Sequence, residues 1–167
     1  MGSHADEGLR RIAERLEKVL ARDELVCATV FNLRAELQAD RTILYYFYSK
    51  WEGQVTFEAL SSDATSIIGS RGPDECFNQD YAAMYEAGRV RAIPDLMTEP
   101  IQDCHRDFLL NLGVRSNLVV PVLNAKGLWG LLIAHHCQAP RLWTDSEIQI
   151  MQQGASVLAQ SPTIQQG

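Results

Sequence analysis

Asn117-Leu118-Val119-Val120-Pro121-Val122-Leu123 and Leu128-Trp129-Gly130-Leu131-Leu132-Ile133-Ala134-His135-His136-Cys137 flank the short turn Asn124-Ala125-Lys126-Gly127. Two strand-length apolar runs, rich in aliphatic residues and joined by a glycine-bearing turn, specify a β-hairpin. On an alternating strand His135 shares a face with Trp129, Leu131 and Ile133, while His136 points the other way. A histidine beside an apolar face is commonly a satisfied core residue, so its position alone does not make it a ligand.

Working outward, Asp103 is placed to N-cap a helix from Cys104 to Leu112, with Gly113 as its stop. Downstream, Thr144 and Glu147 have the spacing of a capping box, and Ile148, Met151, Ala155 and Leu158 form the apolar face of the helix that follows. Upstream lie a short strand near Val90 to Ile93 and a short helix from Tyr81 to Ala87 that Gly88 ends. Residues 61–80 are irregular, and a loop of that length inside a compact domain is usually functional or disordered. Thr42 to Tyr48 and Gln54 to Leu60 read as a second hairpin across Lys50-Trp51-Glu52-Gly53. Leu9, Ile12, Leu16 and Leu20, then Val26, Val30, Leu33 and Leu37, recur at helical spacing. They form two helices, or one bent helix, broken near Ala21-Arg22-Asp23. The order predicts an α+β domain: an antiparallel sheet with the terminal helices on one face and loops with short helices on the other. A pocket is expected between the sheet and the loop layer.

The length of 167 residues suits one domain with one core. A net charge of -6 argues against a nucleic-acid partner. No run approaches the roughly 20 apolar residues of a membrane span, and no secretory signal is recognisable. The four cysteines, Cys27, Cys76, Cys104 and Cys137, include no CxxC pair, and they read as reduced thiols in a cytoplasm. Residues 1–4 read as a tag remnant, 5–24 as a linker helix, 25–160 as the domain and 161–167 as a C-terminal tail.

Cys104-His105 is the first candidate for chemistry. A thiol in the first turn of a helix faces unpaired backbone N–H groups and the positive end of the dipole, which favours the thiolate and raises its nucleophilicity. The adjacent imidazole can hydrogen-bond or stack on a ligand. The plainer reading is a cysteine that packs with Phe108 and Leu112. A zinc site from Cys104, His105 and a strand histidine is conceivable, but the spacings match no common zinc pattern.

Asp103-Cys104-His105-Arg106-Asp107-Phe108-Leu109-Leu110, Val114-Arg115-Ser116-Asn117-Leu118-Val119-Val120-Pro121-Val122 and Leu128-Trp129-Gly130-Leu131-Leu132-Ile133-Ala134-His135, followed by Ala139-Pro140-Arg141, carry a family resemblance. With Gln38 to Tyr45 and Gly88 to Asp95, they resemble the chromophore-binding GAF domains of cyanobacteriochromes and phytochromes, from about Leu25 to Gln160. The resemblance implies a linear tetrapyrrole, phycocyanobilin or phycoviolobilin, joined by a thioether to Cys104. It implies that His105 packs near the pyrrole nitrogens and His135 near the D ring, and that Arg89 pairs with a propionate. Arg71 and Arg91 are weaker candidates for that pairing; a guanidinium suits a carboxylate because it offers a planar fork of donors.

Asp74-Glu75-Cys76-Phe77 resembles the Asp-Xaa-Cys-Phe motif of one cyanobacteriochrome branch. That likeness implies a second, reversible thioether from Cys76 and hydrogen bonds from pyrrole N–H groups to Asp74, with Phe77 beside the chromophore. Pro94 and Thr98-Glu99-Pro100 depart from the pattern in the approach to Cys104, without removing a residue the chemistry needs.

The resemblance therefore implies a photoreceptor module, not an enzyme, which signals to an output domain elsewhere in a longer protein. A homodimer through the terminal helices is left open. The alternative is an unpigmented GAF domain regulated by a small ligand such as a cyclic nucleotide, since fold does not fix function. A nucleophilic enzyme using Cys104 and a histidine lacks a recognisable oxyanion hole or orienting third residue.

Overall fold

The computed structural model describes residues 3–48, 52–72 and 79–167, with side chains described from residue 8 in the first stretch and from residue 82 in the last. Helix α1 (Ser3–Arg22) gives way at Asp23 to α2 (Glu24–Leu37). Asp23 is extended, and its carboxylate accepts from the backbone N–H groups of Leu25 and Val26. The helical pattern is therefore broken by a cap that serves the second helix. Val26, Val30, Leu33 and Leu37 are all buried, as their spacing predicts.

Five strands follow: β1 (Arg41–Phe47), β2 (Gly53–Leu60), β3 (Arg91–Ile93), β4 (Ser116–Asn124) and β5 (Gly127–His136). They form one antiparallel sheet in the order β2-β1-β5-β4-β3. The sheet sorts its side chains by alternation. Leu44, Phe57, Leu118, Val120, Leu132 and Ala134 pack with α1, α2 and α5 (Asp145–Leu158) in one core. Ile43, Tyr45, Val55, Val119, Leu131 and Ile133 face the opposite side, towards α3 (Gln79–Glu86), α4 (Asp103–Asn111) and the loops.

Trp129 departs from the expected face. It joins the helix-side core with Leu132 and Ala134 instead of Leu131 and Ile133. The reason is a bulge: Val122 pairs with Gly130 and Leu123 with Leu128, so Trp129 is an extra residue on β5. A bulge resets alternation by one residue. Gly130 beside it has no room for a side chain, because a Cβ there would meet the backbone carbonyl of Tyr45 on β1. Gly130→Ala is therefore expected to destabilise the domain by about 1–3 kcal/mol, the usual cost of overpacking. Urea unfolding measures it, and an unchanged midpoint would show that the β1–β5 pair can widen freely.

Two helix boundaries also differ from the sequence reading. Gln102, not Asp103, is the extended cap of α4. Asp103 is already helical, and its carboxylate pairs with Arg106 at 3.2 Å. Residues 161–167, expected as a tail, contain helix α6 (Pro162–Gln166). The Ser161 hydroxyl accepts from the Ile164 N–H at 3.1 Å, Pro162 opens the first turn, and Ile164 is buried. The Thr144–Glu147 capping box forms as the spacing predicts.

Candidate functional site

A narrow cleft, with an internal volume of about 30 Å³, lies on the α3/α4 side of the sheet. Its floor is sheet: Ile43, Tyr45, Val55, Asn117, Val119, Leu131, Ile133 and His135. Its roof is α4, through His105, Phe108, Leu109 and Leu112. The lining is mostly apolar with a few polar groups, as in ligand pockets generally. His105 and His135, separated by 30 positions in sequence, thus face one space. Cys104 is half-buried and is not among the cleft-lining residues; its Sγ lies 3.9 Å from Gln102 Oε1 and is disulfide-bonded, which corrects the reduced thiol expected at this position, whereas Cys27 and Cys137 are free as expected.

The approach to α4 is fixed by arginines. Arg106 donates to the carbonyls of Leu96 at 3.0 Å and Glu99 at 2.6 Å. Arg115 grips Asp95 with two bonds of 2.7 and 3.2 Å, and these hold the Asp95 carboxyl below its usual range. Pro94, noted above as a departure, contributes its carbonyl to the Arg141 N–H at 2.9 Å. The unusual Thr98-Glu99-Pro100 segment is therefore pinned to the helix it precedes.

Both cleft histidines are buried, His105 at 7 % exposure and His135 at 1 %. Burial pushes His105 down to about 4, aided by the charges of Arg91 and Arg89. Burial and Arg41 push His135 down to about 3. Both imidazoles are therefore neutral near pH 7. A pKa depressed by folding gives stability that is complete above the unfolded value of about 6.5 and is lost as pH falls towards the folded value. Stability should drop between about pH 6.5 and 4 by up to about 1.4 kcal/mol per pH unit for each histidine. Urea midpoints at pH 7.5 and 5 should differ accordingly, and the difference should shrink in His105→Gln. An equal pH dependence in that variant would mean that folding leaves the His105 pKa near its unfolded value.

Asn117 brings an unsatisfied polar atom to the cleft. It is 2 % exposed, and its Oδ1 has no hydrogen-bond partner among the described residues. A buried amide oxygen without a partner costs about 1–3 kcal/mol, so such atoms call for an explanation. Here the amide borders an apolar cleft beside His135, its register partner across β4 and β5. Its address was legible in part, as a polar residue sharing a strand face with Val119. Arg41, whose charge acts on His135, gave no such signal, because that contact is remote in sequence.

Arg89 and Arg91 stand near His105 and act on its titration. Arg89 donates to Met84 Sδ at 2.7 Å and lies over the Tyr85 ring at 5.8 Å. Neither arginine pairs with a carboxylate among the described residues. Arg71 is exposed and donates to the Tyr48 hydroxyl at 2.9 Å. Asp74, Cys76 and Phe77 lie outside the described residues. Among the described residues no group of histidines, cysteines and carboxylates could hold a metal ion, and no helix is long and apolar enough to cross a membrane.

The chemistry of this lining suits a mostly apolar group, with neutral imidazoles and an amide for its polar atoms and cations nearby for an acidic substituent. Comparison with known proteins agrees with that chemistry. The model of the GAF domain family matches residues 21–161. An uncharacterized protein of Picosynechococcus is 42% identical over 154 residues, covering 92% of this chain and 94% of that one. A putative methyl-accepting chemotaxis protein of Synechocystis is 31% identical over 87% of this chain, which spans only 14% of that protein's length. Among solved structures, the GAF domain of the cyanobacteriochrome TePixJ matches with a TM-score of 0.71 and 34% identity, covering 79% of this chain and 82% of that one. The phycoerythrobilin-bound GAF domain of a cyanobacterial phytochrome matches with a TM-score of 0.70 and 27% identity, covering 90% and 94%. The chain belongs to the GAF domain family, with close structural matches among cyanobacteriochrome GAF domains and with phytochromes among its relatives.

Proposed function

We propose that this GAF domain is a light-sensing module that holds a linear tetrapyrrole, phycocyanobilin or phycoviolobilin, between its sheet and α4. The observation that carries the reading is the cleft itself: apolar walls, two neutral histidines and a buried amide oxygen with no partner among the described residues. The bilin bound by one related GAF domain supports the ligand class. Bound there, the group supplies visible absorption and a light-driven double-bond isomerisation. The protein supplies the rest. Cys104, in the first turn of α4, is the proposed covalent anchor. His105 lines the roof and is placed to pack on the ring system. His135 and Asn117 offer hydrogen bonds from the floor to the polar edge of one terminal ring. Arg89 is the proposed partner of a propionate, in keeping with its lack of a carboxylate partner among the described residues.

Asp74, Cys76 and Phe77 complete the proposal from sequence resemblance alone, as the motif of the Asp-Xaa-Cys-Phe branch, with Cys76 as a second, reversible thiol. An output domain in a longer protein is the proposed recipient of the signal. The chain's short span of the chemotaxis relative fits a sensory part within a larger whole.

Adding bilin to pigment-free protein tests the reading against a cyclic nucleotide. The expected result is a visible band that survives gel filtration with the protein, and no heat of binding with cyclic AMP or cyclic GMP. Nucleotide binding without pigment uptake would replace the proposal. In the pigmented protein, His135→Ala should keep the covalent pigment but change the yield or colour of the light-driven product. An unchanged photocycle would return His135 to a purely structural role.

A further inference from the structure

Arg41 is the first residue of β1 and is 2 % exposed. Among the described residues no carboxylate pairs with it. A buried guanidinium without a counter-ion is costly unless its donors are satisfied. Arg41 satisfies them on three separate segments. Nη2 donates to the Leu112 carbonyl at 2.7 Å, at the end of α4. Nε donates to the Thr65 carbonyl at 2.9 Å, and Nη2 reaches Thr65 Oγ1 at 3.3 Å, in the loop after β2. Nη1 lies 3.2 Å from His135 Nδ1.

The last contact has only one chemically allowed sense. A guanidinium has donors and no acceptor, so His135 Nδ1 must accept. The single proton of a neutral imidazole then sits on Nε2, and the ring's remaining hydrogen-bonding capacity is a donor. We propose that Arg41 is a positioning residue that fixes His135 in the Nε2–H tautomer and ties it to both α4 and the loop after β2. The cleft floor then presents a fixed N–H donor, which selects a carbonyl-type acceptor on whatever occupies the cleft. Arg41 also borders the polar groove on the outer side, with Asp63, Ser66 and Gly113, so it stands between that groove and the ring that lines the cleft.

Neighbouring charges do not compete for this role. Asp40, the next residue, is turned away: its Oδ2 accepts from the Cys137 N–H at 2.7 Å and lies 3.8 Å from His136. His105, which faces the same cleft from α4, is neutral near pH 7. Arg41 is the charged group acting on His135 among the described residues.

The identity of the acceptor rests on the bilin reading, but the tautomer does not, and it can be read in pigment-free protein. Nitrogen-15 NMR of the imidazoles should show His135 as one tautomer, protonated on Nε2, unchanged from pH 5 to 8. Finding the Nδ1–H tautomer, or an averaging pair, would overturn the proposal in the wild type, with no variant needed. Arg41→Met, which removes the donors and keeps much of the length, should lose the single tautomer. Thr65→Val, which removes only one acceptor on the far side of Arg41, should keep it. A folded Arg41→Met protein that still shows one Nε2–H species would assign tautomer control elsewhere. A wild type with the stated tautomer but no pigment uptake would sink the bilin reading and leave this inference standing.

Discussion

Cys104→Ala protein purified from cells that make bilin should lose essentially all covalent pigment, seen as loss of zinc-dependent fluorescence on a denaturing gel. The expectation starts from local structure. The first turn of any α-helix leaves backbone N–H groups without helical partners, and in α4 the Gln102 side chain makes no capping bond to them. Cys104 occupies that turn, half-buried, beside a histidine that lines the cleft. Once its disulfide is reduced, the nucleophile there is close to the ligand's expected position without filling it. The segment before the helix is held by Arg106 and Arg115, so the thiol's placement does not depend on a loose loop. A Cys104→Ala protein as fluorescent as wild type would reject the assignment if the Cys76→Ala/Cys104→Ala double variant fluoresced too. Loss only in the double variant would make Cys76 an anchor in its own right.

The second large effect is expected at Cys76. Cys76→Ala should keep its pigment on Cys104 and lose the short-wavelength state entirely. The reason is chemical. A thiol that adds reversibly to a conjugated system shortens the conjugation, so absorption moves towards violet or blue while the bond exists. Asp74, two residues earlier in the sequence, is the proposed acceptor for pyrrole N–H groups, since a carboxylate can accept from several donors. The absorption spectrum of the variant in both illumination states decides the point. A short-wavelength state that survives Cys76→Ala would remove the second linkage and leave the bilin reading intact.

Much of the fold is legible in the sequence because its elements carry strong local patterns. The buried faces of α2 and α5 follow helical spacing, and the Thr144–Glu147 box closes locally. The strands show as aliphatic runs, and their alternation correctly assigns Leu131, Ile133 and His135 to one face. The misses share a physical origin. Trp129 lies on the other face because of pairing across two strands, and a bulge has no signature within one strand alone. Asp103 has the chemistry of a cap, but its carboxylate goes to Arg106 instead. The helix at Pro162–Gln166 is short, and tertiary contacts help fix it: Asn124 Nδ2 donates to the Ile164 carbonyl at 2.8 Å.

The site divides in the same way. His105 and His135 could be named because each sits in a recognisable local stretch, and the structure brings both to one cleft. Arg41 could not be singled out by pattern. Its partners are Thr65, Leu112 and His135, each more than 20 positions away, and only the folded chain brings them together. Asn117 likewise becomes informative only when its amide oxygen is seen to lack a partner among the described residues.

The central claim is that this domain holds a bilin and switches with light. The measurement that tests it most directly is the absorption spectrum of the protein co-expressed with bilin synthesis, taken before and after blue illumination. The account predicts an intense pigment with one state in the violet-to-blue region, which blue light converts to a state absorbing at longer wavelength. A colourless protein, or a pigment whose spectrum light leaves unchanged, would contradict it.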